Sequence, residues 1–202
     1  MLDRHLRPLV DPPLQAIADR IASRLSADTV TFCGFGLGCL AIVAVMAGQF
    51  ALGLVLLLLN RTADGLDGAV ARRNGVTDLG GYLDIVLDFI IYSGVVFAFA
   101  VADPAINALP AAFLIFSFMG TGASFLAFAV MAAKHELESP EQGAKSLYYL
   151  GGLAEGTETI VFLVAVLLWP NGFPLLAWLF GAVCWLTTCG RVLIAVRLLK
   201  DR

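Results

Sequence analysis

Four aspartates, Asp64, Asp67, Asp84 and Asp88, interrupt a stretch of chain that is otherwise largely apolar. A charged side chain inside a membrane span costs about 2.5–3.5 kcal/mol on insertion, so four of them close together imply a function. At 100° per residue, Asp64, Asp67, Gly68, Ala71 and Arg72 fall within roughly 140° of one helix. Asp84 and Asp88 are four residues apart and share one face of the next helix. Four negative charges facing each other across two helices repel strongly at low dielectric. Two divalent cations would neutralise them, and hard oxygen ligands suit Mg²⁺ or Mn²⁺. Gly68 and Ala71 are small enough to leave space beside such ions for a bulky group. Arg72 supplies a positive charge suited to a phosphate. The pattern has the logic of a two-metal phosphoryl-transfer site.

The elements that must position these residues are membrane helices. Of the 202 residues, 59% are hydrophobic and only 14% charged, with a mean hydropathy of +0.86. A soluble domain holds about 45–50% apolar and about 25% charged residues, so lipid must solvate much of this surface. A spanning helix needs roughly 20 apolar residues. The turn at Gly48-Gln49 divides a long charge-free run into a first span at about 29–47 and a second at about 50–72. A third follows at about 79–102, a fourth lies within 104–133, and a fifth covers about 147–169. The tight turn Pro170-Asn171-Gly172 leads to a sixth at about 173–196. The expected fold is therefore an all-α integral membrane protein of six transmembrane helices in a domain over 29–202. A cytoplasmic segment, 1–28, precedes it. There Leu14, Ile17, Ala18, Ile21, Ala22 and Leu25 recur at helical spacing after Pro12-Pro13, opposite Gln15, Asp19, Arg20, Ser23 and Arg24. This predicts a short amphipathic helix in the headgroup region. Without a continuous apolar stretch behind its arginines, the N-terminus does not read as a cleavable signal peptide.

Lys and Arg placement gives the orientation. With six spans, the connections at Gly48-Gln49, around Asp103 and at Pro170-Asn171-Gly172 contain no Lys or Arg. The other side receives Arg4, Arg7, Arg20, Arg24, Arg72, Arg73, Lys134, Lys145, Arg197, Lys200 and Arg202. Both termini and the carboxylate cluster are thus expected on the cytoplasmic side of an inner membrane. Only Arg61 and Arg191 remain within spans.

The run Asp64-Gly-Leu-Asp67-Gly68-Ala-Val-Ala71-Arg72, seven further residues, then Gly80-Gly-Tyr-Leu-Asp84-Ile-Val-Leu-Asp88 resembles the signature of the CDP-alcohol phosphatidyltransferase family. That signature reads D-x2-D-G-x2-A-R, seven or eight residues, then G-x3-D-x3-D, and all its fixed positions are present. The resemblance implies that Asp64, Asp67 and Asp84 are metal ligands, with Asp88 completing a second metal site and acting as the base on the attacking alcohol. It also implies that Gly68, Ala71 and Arg72 border the CDP moiety. The acceptor hydroxyl would attack the phosphorus distal to cytidine, and CMP would leave. Homodimers are typical of the family. Many relatives read Pro-Asn-x-x-Thr before the first span, where this chain has Ala27-Asp28-Thr29-Val30-Thr31. Thr31 is kept as a nucleotide-side residue, and Asp28 is expected either to cap the first span or to contact the nucleotide.

Other polar residues bear on the acceptor. Lys145 lies where relatives often carry a basic residue for an acceptor phosphate, although a positive-inside anchor explains it too. Arg191 is a second candidate for such a phosphate. Glu155 and Glu158 either line the acceptor pocket or pair with Arg61 or Arg191, and pairing is favoured because a lone buried charge is costly. Tyr148, Tyr149 and Trp169 read as interfacial aromatics. Cys33, Cys39, Cys184 and Cys189 lie in apolar runs without a C-x-x-C pair and read as small packing residues. His5 and His135 read as solvated.

The partners implied are the lipid bilayer, a CDP-linked donor such as CDP-diacylglycerol and a small alcohol, with no role for nucleic acid. CDP-choline or CDP-ethanolamine donating to diacylglycerol would use the same signature. A cation-coupled transporter is the alternative from another class. It fits poorly with acids gathered at one side and with no inverted repeat.

Overall fold

The computed structural model describes residues 3–135 and 152–200, with side chains described from residue 11 onward. Seven α-helices and one short 3₁₀ turn make up the described chain, with no strand among these residues. They are α1 (Asp3–Ile21), α2 (Ala27–Met46), α3 (Phe50–Asn74), α4 (Asp78–Ala102), α5 (Pro104–Lys134), α6 (Gly156–Leu168) and α7 (Phe173–Leu199), with the 3₁₀ turn at Pro170–Gly172 between the last two. Among the described residues, four helical stretches are long and apolar enough to cross a membrane: α2, α4, α5 and Pro170–Leu199. The chain is an all-α membrane protein.

Two elements depart from a simple span. α3 has 25 residues, about 37 Å at 1.5 Å per residue, but Arg61 sits near its middle and Asp64 and Asp67 in its second half. α6 has only 13 residues, about 20 Å, whereas the sequence predicts a helix over about 147–169. Residues 152–155 are non-helical and end in the Glu155 cap of α6. Residues 147–151 lie outside the described residues, and with them Tyr148 and Tyr149. Trp169, at the end of α6, is exposed.

Small residues let the helices approach closely, as membrane helix packing requires. A Cβ on Gly34 of α2 would lie 2.8 Å from Ala63 Cβ of α3, and one on Gly38 would collide with the Ile91 side chain of α4. The Gly34 carbonyl accepts a 2.8 Å bond from Asn60 Nδ2, which ties α3 to the α2 backbone. At the α2–α3 turn Gly48 has φ +75, a left-handed conformation that favours glycine. Gly34→Leu is accordingly expected to wedge α2 from α3 and to cost about 1–3 kcal/mol or more. Thermal unfolding of the purified protein in detergent would show this as a lowered midpoint.

The helices alternate in direction. Gly38 packs on Ile91 and Gly94 on Ile42, so α2 and α4 run parallel. Phe113 packs on Trp178 with ring centroids 4.4 Å apart and Phe116 on Trp185 with centroids 4.9 Å apart, so α5 and α7 also run parallel. Phe99 lies between Phe50 and Phe173, with centroids 5.2 and 4.3 Å away. These rings close the bundle at the end where α3 and α7 begin and α4 finishes. The carboxylates lie toward the opposite end.

The N-terminal helix differs from expectation in extent and in partner. α1 begins at Asp3 and continues through Pro12-Pro13 rather than starting after them. Its residues Leu14 and Ala18 are buried against Ala69 and Val70 of α3, with Ile21, Ala22 and Leu66 packed around them. That part of the apolar face meets protein rather than lipid, while Ile17 and Leu25 stay exposed. Arg73 Nε donates to Asp19 Oδ1 at 2.6 Å, and Asn74 Nδ2 to the Ala22 carbonyl at 3.0 Å. These contacts latch α1 onto the C-terminal end of α3.

Candidate active site

The cleft that gathers the polar groups lies between the first half of α2, the second half of α3 and the first half of α4. Helix propensity and caps account for its walls. α2 starts from Ser26, whose hydroxyl accepts from Thr29 N at 3.2 Å. Ser26 therefore caps the helix, and Asp28 lies in its first turn. α4 starts from Thr77, whose hydroxyl accepts from Gly80 N at 3.0 Å. A Cβ on Gly80 would lie 3.2 Å from that hydroxyl, while one on Gly81 would meet nothing within 4 Å. Of the two glycines, Gly80 is the one its neighbours constrain.

Between these walls Asp64, Asp84 and Asp88 each bring one carboxylate oxygen within 4.8 Å of the others. Asp64 and Asp88 are half-buried and Asp84 is exposed. The donors are all anionic oxygens at a spacing that a single hard cation could bridge, so the set fits Mg²⁺ or Mn²⁺. Asp67 lies in the same cleft and is 9% exposed, but it is held differently. Its Oδ2 lies 2.6 Å from Thr31 Oγ1. The Thr31 hydroxyl also approaches the Ala27 carbonyl at 3.0 Å, and its single proton goes to the closer, charged acceptor. Thr31 therefore serves Asp67 directly.

Gly68, Ala71 and Arg72 continue along α3 beyond the carboxylates. A Cβ on Gly68 would meet only Arg72 Nη1, at 3.5 Å, and the Arg72 side chain is exposed. Arg72 is thus the neighbour of Gly68 on this face of α3.

Arg61 has its acidic partners within this cleft. Rather than pairing with Glu155 or Glu158, its Nη1 lies 2.6 Å from Asp88 Oδ1 and 3.7 Å from Asp64 Oδ2. The same nitrogen donates to the Tyr92 hydroxyl at 3.0 Å, and Nε donates to Asn60 Oδ1 at 2.8 Å. Tyr92 in turn donates to Asp88 Oδ2 at 3.0 Å. Asn60 and Tyr92 are thus site residues that the motif alone does not reveal. Their signal was nonetheless local: Asn60 adjoins Arg61, and Tyr92 follows Asp88 by one helical turn.

Arg191 and Glu155 do not line this cleft. Arg191 of α7 is 7% exposed; its Nη1 donates to the Thr121 carbonyl at 3.2 Å, and its guanidinium lies 5.4 Å over the Phe125 ring. Glu155 Oε1 accepts from Gly152 N at 2.6 Å. Lys145 lies outside the described residues. The four cysteines are free thiols. Cys184 is buried as packing predicts, while Cys33 and Cys189 are exposed on the outside of the bundle.

Comparison with known proteins extends the motif to the whole bundle. The family model described as CDP-alcohol phosphatidyltransferase matches residues 24–193. The chain is 50% identical over 193 residues to Inner membrane protein YnjF of Escherichia coli (strain K12), a match covering 95% of this chain and 94% of that protein. It is 27% identical over 167 residues to an archaetidylinositol phosphate synthase of Pyrococcus horikoshii, covering 81% of this chain and 89% of that one. The crystal structure of Mycobacterium tuberculosis phosphatidylinositol phosphate synthase (PgsA1) with CDP-DAG bound shares the fold. Its TM-score is 0.65 at 22% identity, over 91% of this chain and 93% of that chain. A match running from the start of α2 well into α7 leaves no room for a local coincidence of motif, and the chain belongs to the CDP-alcohol phosphatidyltransferase family.

Proposed function

We propose that this protein transfers a phosphatidyl group from CDP-diacylglycerol to a small alcohol and releases CMP. The observation that carries the proposal is the convergence of Asp64, Asp84 and Asp88 to within 4.8 Å, with Asp67 in the same cleft. The relatives named for archaetidylinositol phosphate synthesis, and the fold neighbour with CDP-DAG bound, favour this donor over a CDP-aminoalcohol.

In this reading the four aspartates hold two divalent ions, Mg²⁺ or Mn²⁺. When bound, the ions neutralise the pyrophosphate and stabilise charge on the transferring group. Asp88 accepts the proton of the acceptor hydroxyl, whose oxygen forms the new bond to the phosphorus distal to cytidine. The bond from that phosphorus to the bridging oxygen breaks, and the oxygen leaves with CMP. Thr31 fixes Asp67 by its hydrogen bond. Gly68 and Ala71 leave room for the cytidine diphosphate, and Arg72 faces its negative charge. Lys145 and Arg191 are the proposed contacts for a phosphate on the acceptor.

The same reading takes α3 and the α6 region as spans, giving six over 29–202, with 1–28 on the cytoplasmic side. The alternation of helix directions and the separation of Lys and Arg to one side support it. The name of the YnjF relative supports an inner-membrane location, and the family resemblance supports a homodimer.

Purified protein in nanodiscs, given cytidine-labelled CDP-diacylglycerol and a panel of glycerol 3-phosphate, serine and inositol phosphate, is expected to release labelled CMP with one acceptor. Release only when CDP-choline or CDP-ethanolamine and diacylglycerol are supplied would reverse donor and acceptor.

A further inference from the structure

Arg61 is the strongest feature that the family motif does not cover. Its side chain is 9% exposed, and every contact it makes fixes the guanidinium in place. Asn60 accepts from Nε at 2.8 Å and is itself tied to the Gly34 carbonyl of α2 at 2.8 Å. Tyr92 lies under the guanidinium, 5.2 Å from ring centroid to Cζ. Nη1 thereby faces Asp88 at 2.6 Å and Asp64 at 3.7 Å, two of the three carboxylates that converge. Asp88 is held on both oxygens, by Arg61 on Oδ1 and Tyr92 on Oδ2. Each carboxylate oxygen has a second lone pair, so these bonds do not exhaust its capacity as a ligand. A simple ion pair would require only Asp88. Here a charge that cannot swing away stands between two candidate ligands.

We infer that Arg61 is a built-in counter-cation of the carboxylate cluster, acting with Tyr92 as a positioning pair for Asp88 and setting how tightly the cluster holds a divalent ion. The inference rests on the metal-dependent reading of the site. Before an ion binds, the guanidinium offsets part of the mutual repulsion of the acids, which is stronger for the half-buried Asp64 and Asp88 than in open water. Once an ion binds, the same fixed charge repels it, so the ion is held more loosely than carboxylates alone would hold it and remains exchangeable.

The test is a Mn²⁺ titration of the full-length protein in nanodiscs, read by loss of the free-ion electron paramagnetic resonance signal. Arg61→Met removes the charge. Arg61→Gln also removes it but keeps an amide donor for Asp88, so the test survives if the methionine variant does not fold. Arg61→Lys keeps the charge. Both neutral variants are expected to bind Mn²⁺ about tenfold more tightly than wild type or better, and the lysine variant to stay within about threefold of it. A purely structural role would lower thermal stability without tightening Mn²⁺ binding. Neutral variants that bind Mn²⁺ as weakly as wild type, or more weakly, would overturn the inference. A wild-type protein that binds no Mn²⁺ would instead overturn the metal reading on which it rests.

Discussion

Asp64→Asn is expected to lower CMP release on the order of a thousandfold, the scale on which transition states lose a charge-stabilising group. The substitution keeps the size of the side chain and removes one of the three carboxylates that converge within 4.8 Å. Arg61 lies 3.7 Å from Asp64 but 2.6 Å from Asp88, so the asparagine leaves it with its closer partner. Insertion and folding should therefore survive, which gel filtration and thermal unfolding in detergent would check. Activity within tenfold of wild type in a folded Asp64→Asn protein would count heavily against a site built on these acids.

Asp88→Asn is expected to have two separable effects. Loss of a general base costs about a hundredfold to ten-thousandfold in rate. Loss of the partner of a mostly buried arginine also destabilises the fold. Breaking a fully buried pair costs about 3–5 kcal/mol, and the side-chain exposure of Asp88 reduces that figure here. Combining Asp88→Asn with Arg61→Met removes both charges, so the double variant should regain thermal stability relative to Asp88→Asn while remaining inactive. Equal stability of the single and double variants would show that the pair contributes little to the fold.

The helices were legible in the sequence where local rules decide them. Apolar runs and the turns at Gly48-Gln49 and Pro170-Asn171-Gly172 set α2, the start of α3 and α7 to within a few residues. Helical phase together with the opposite course of two successive helices was enough to expect Asp64, Asp84 and Asp88 near one another. What escaped depended on neighbouring helices or on a choice between adjacent residues. Ser26 and Asp28 are both good cap formers two residues apart, and only the backbone decides between them. The apolar face of α1 is equally suited to lipid or to protein, and Ala69 and Val70 on α3 take part of it. α6 is short because the chain at 152–155 turns instead of continuing a helix; there Leu153 N and Ala154 N bond Thr187 Oγ1 of α7 at 3.1 and 3.0 Å. For Arg61 the sequence offered Glu155 and Glu158, whereas its partners are Asp88 on α4 and Asp64 one turn along its own helix. Its pairing follows from the approach of α3 to α4, and the glycines that bring α2 up to both helices read in sequence only as small residues.

The carboxylate cluster is proposed to perform a metal-dependent transfer from a CDP-linked lipid. The most direct test is CMP release from CDP-diacylglycerol by the wild-type protein in nanodiscs, before and after chelation with EDTA. With the full acceptor panel present, release should fall to background on chelation and return when Mg²⁺ or Mn²⁺ is added back in excess. Release that continues undiminished in EDTA, after dialysis to remove loosely held ions, would contradict the account.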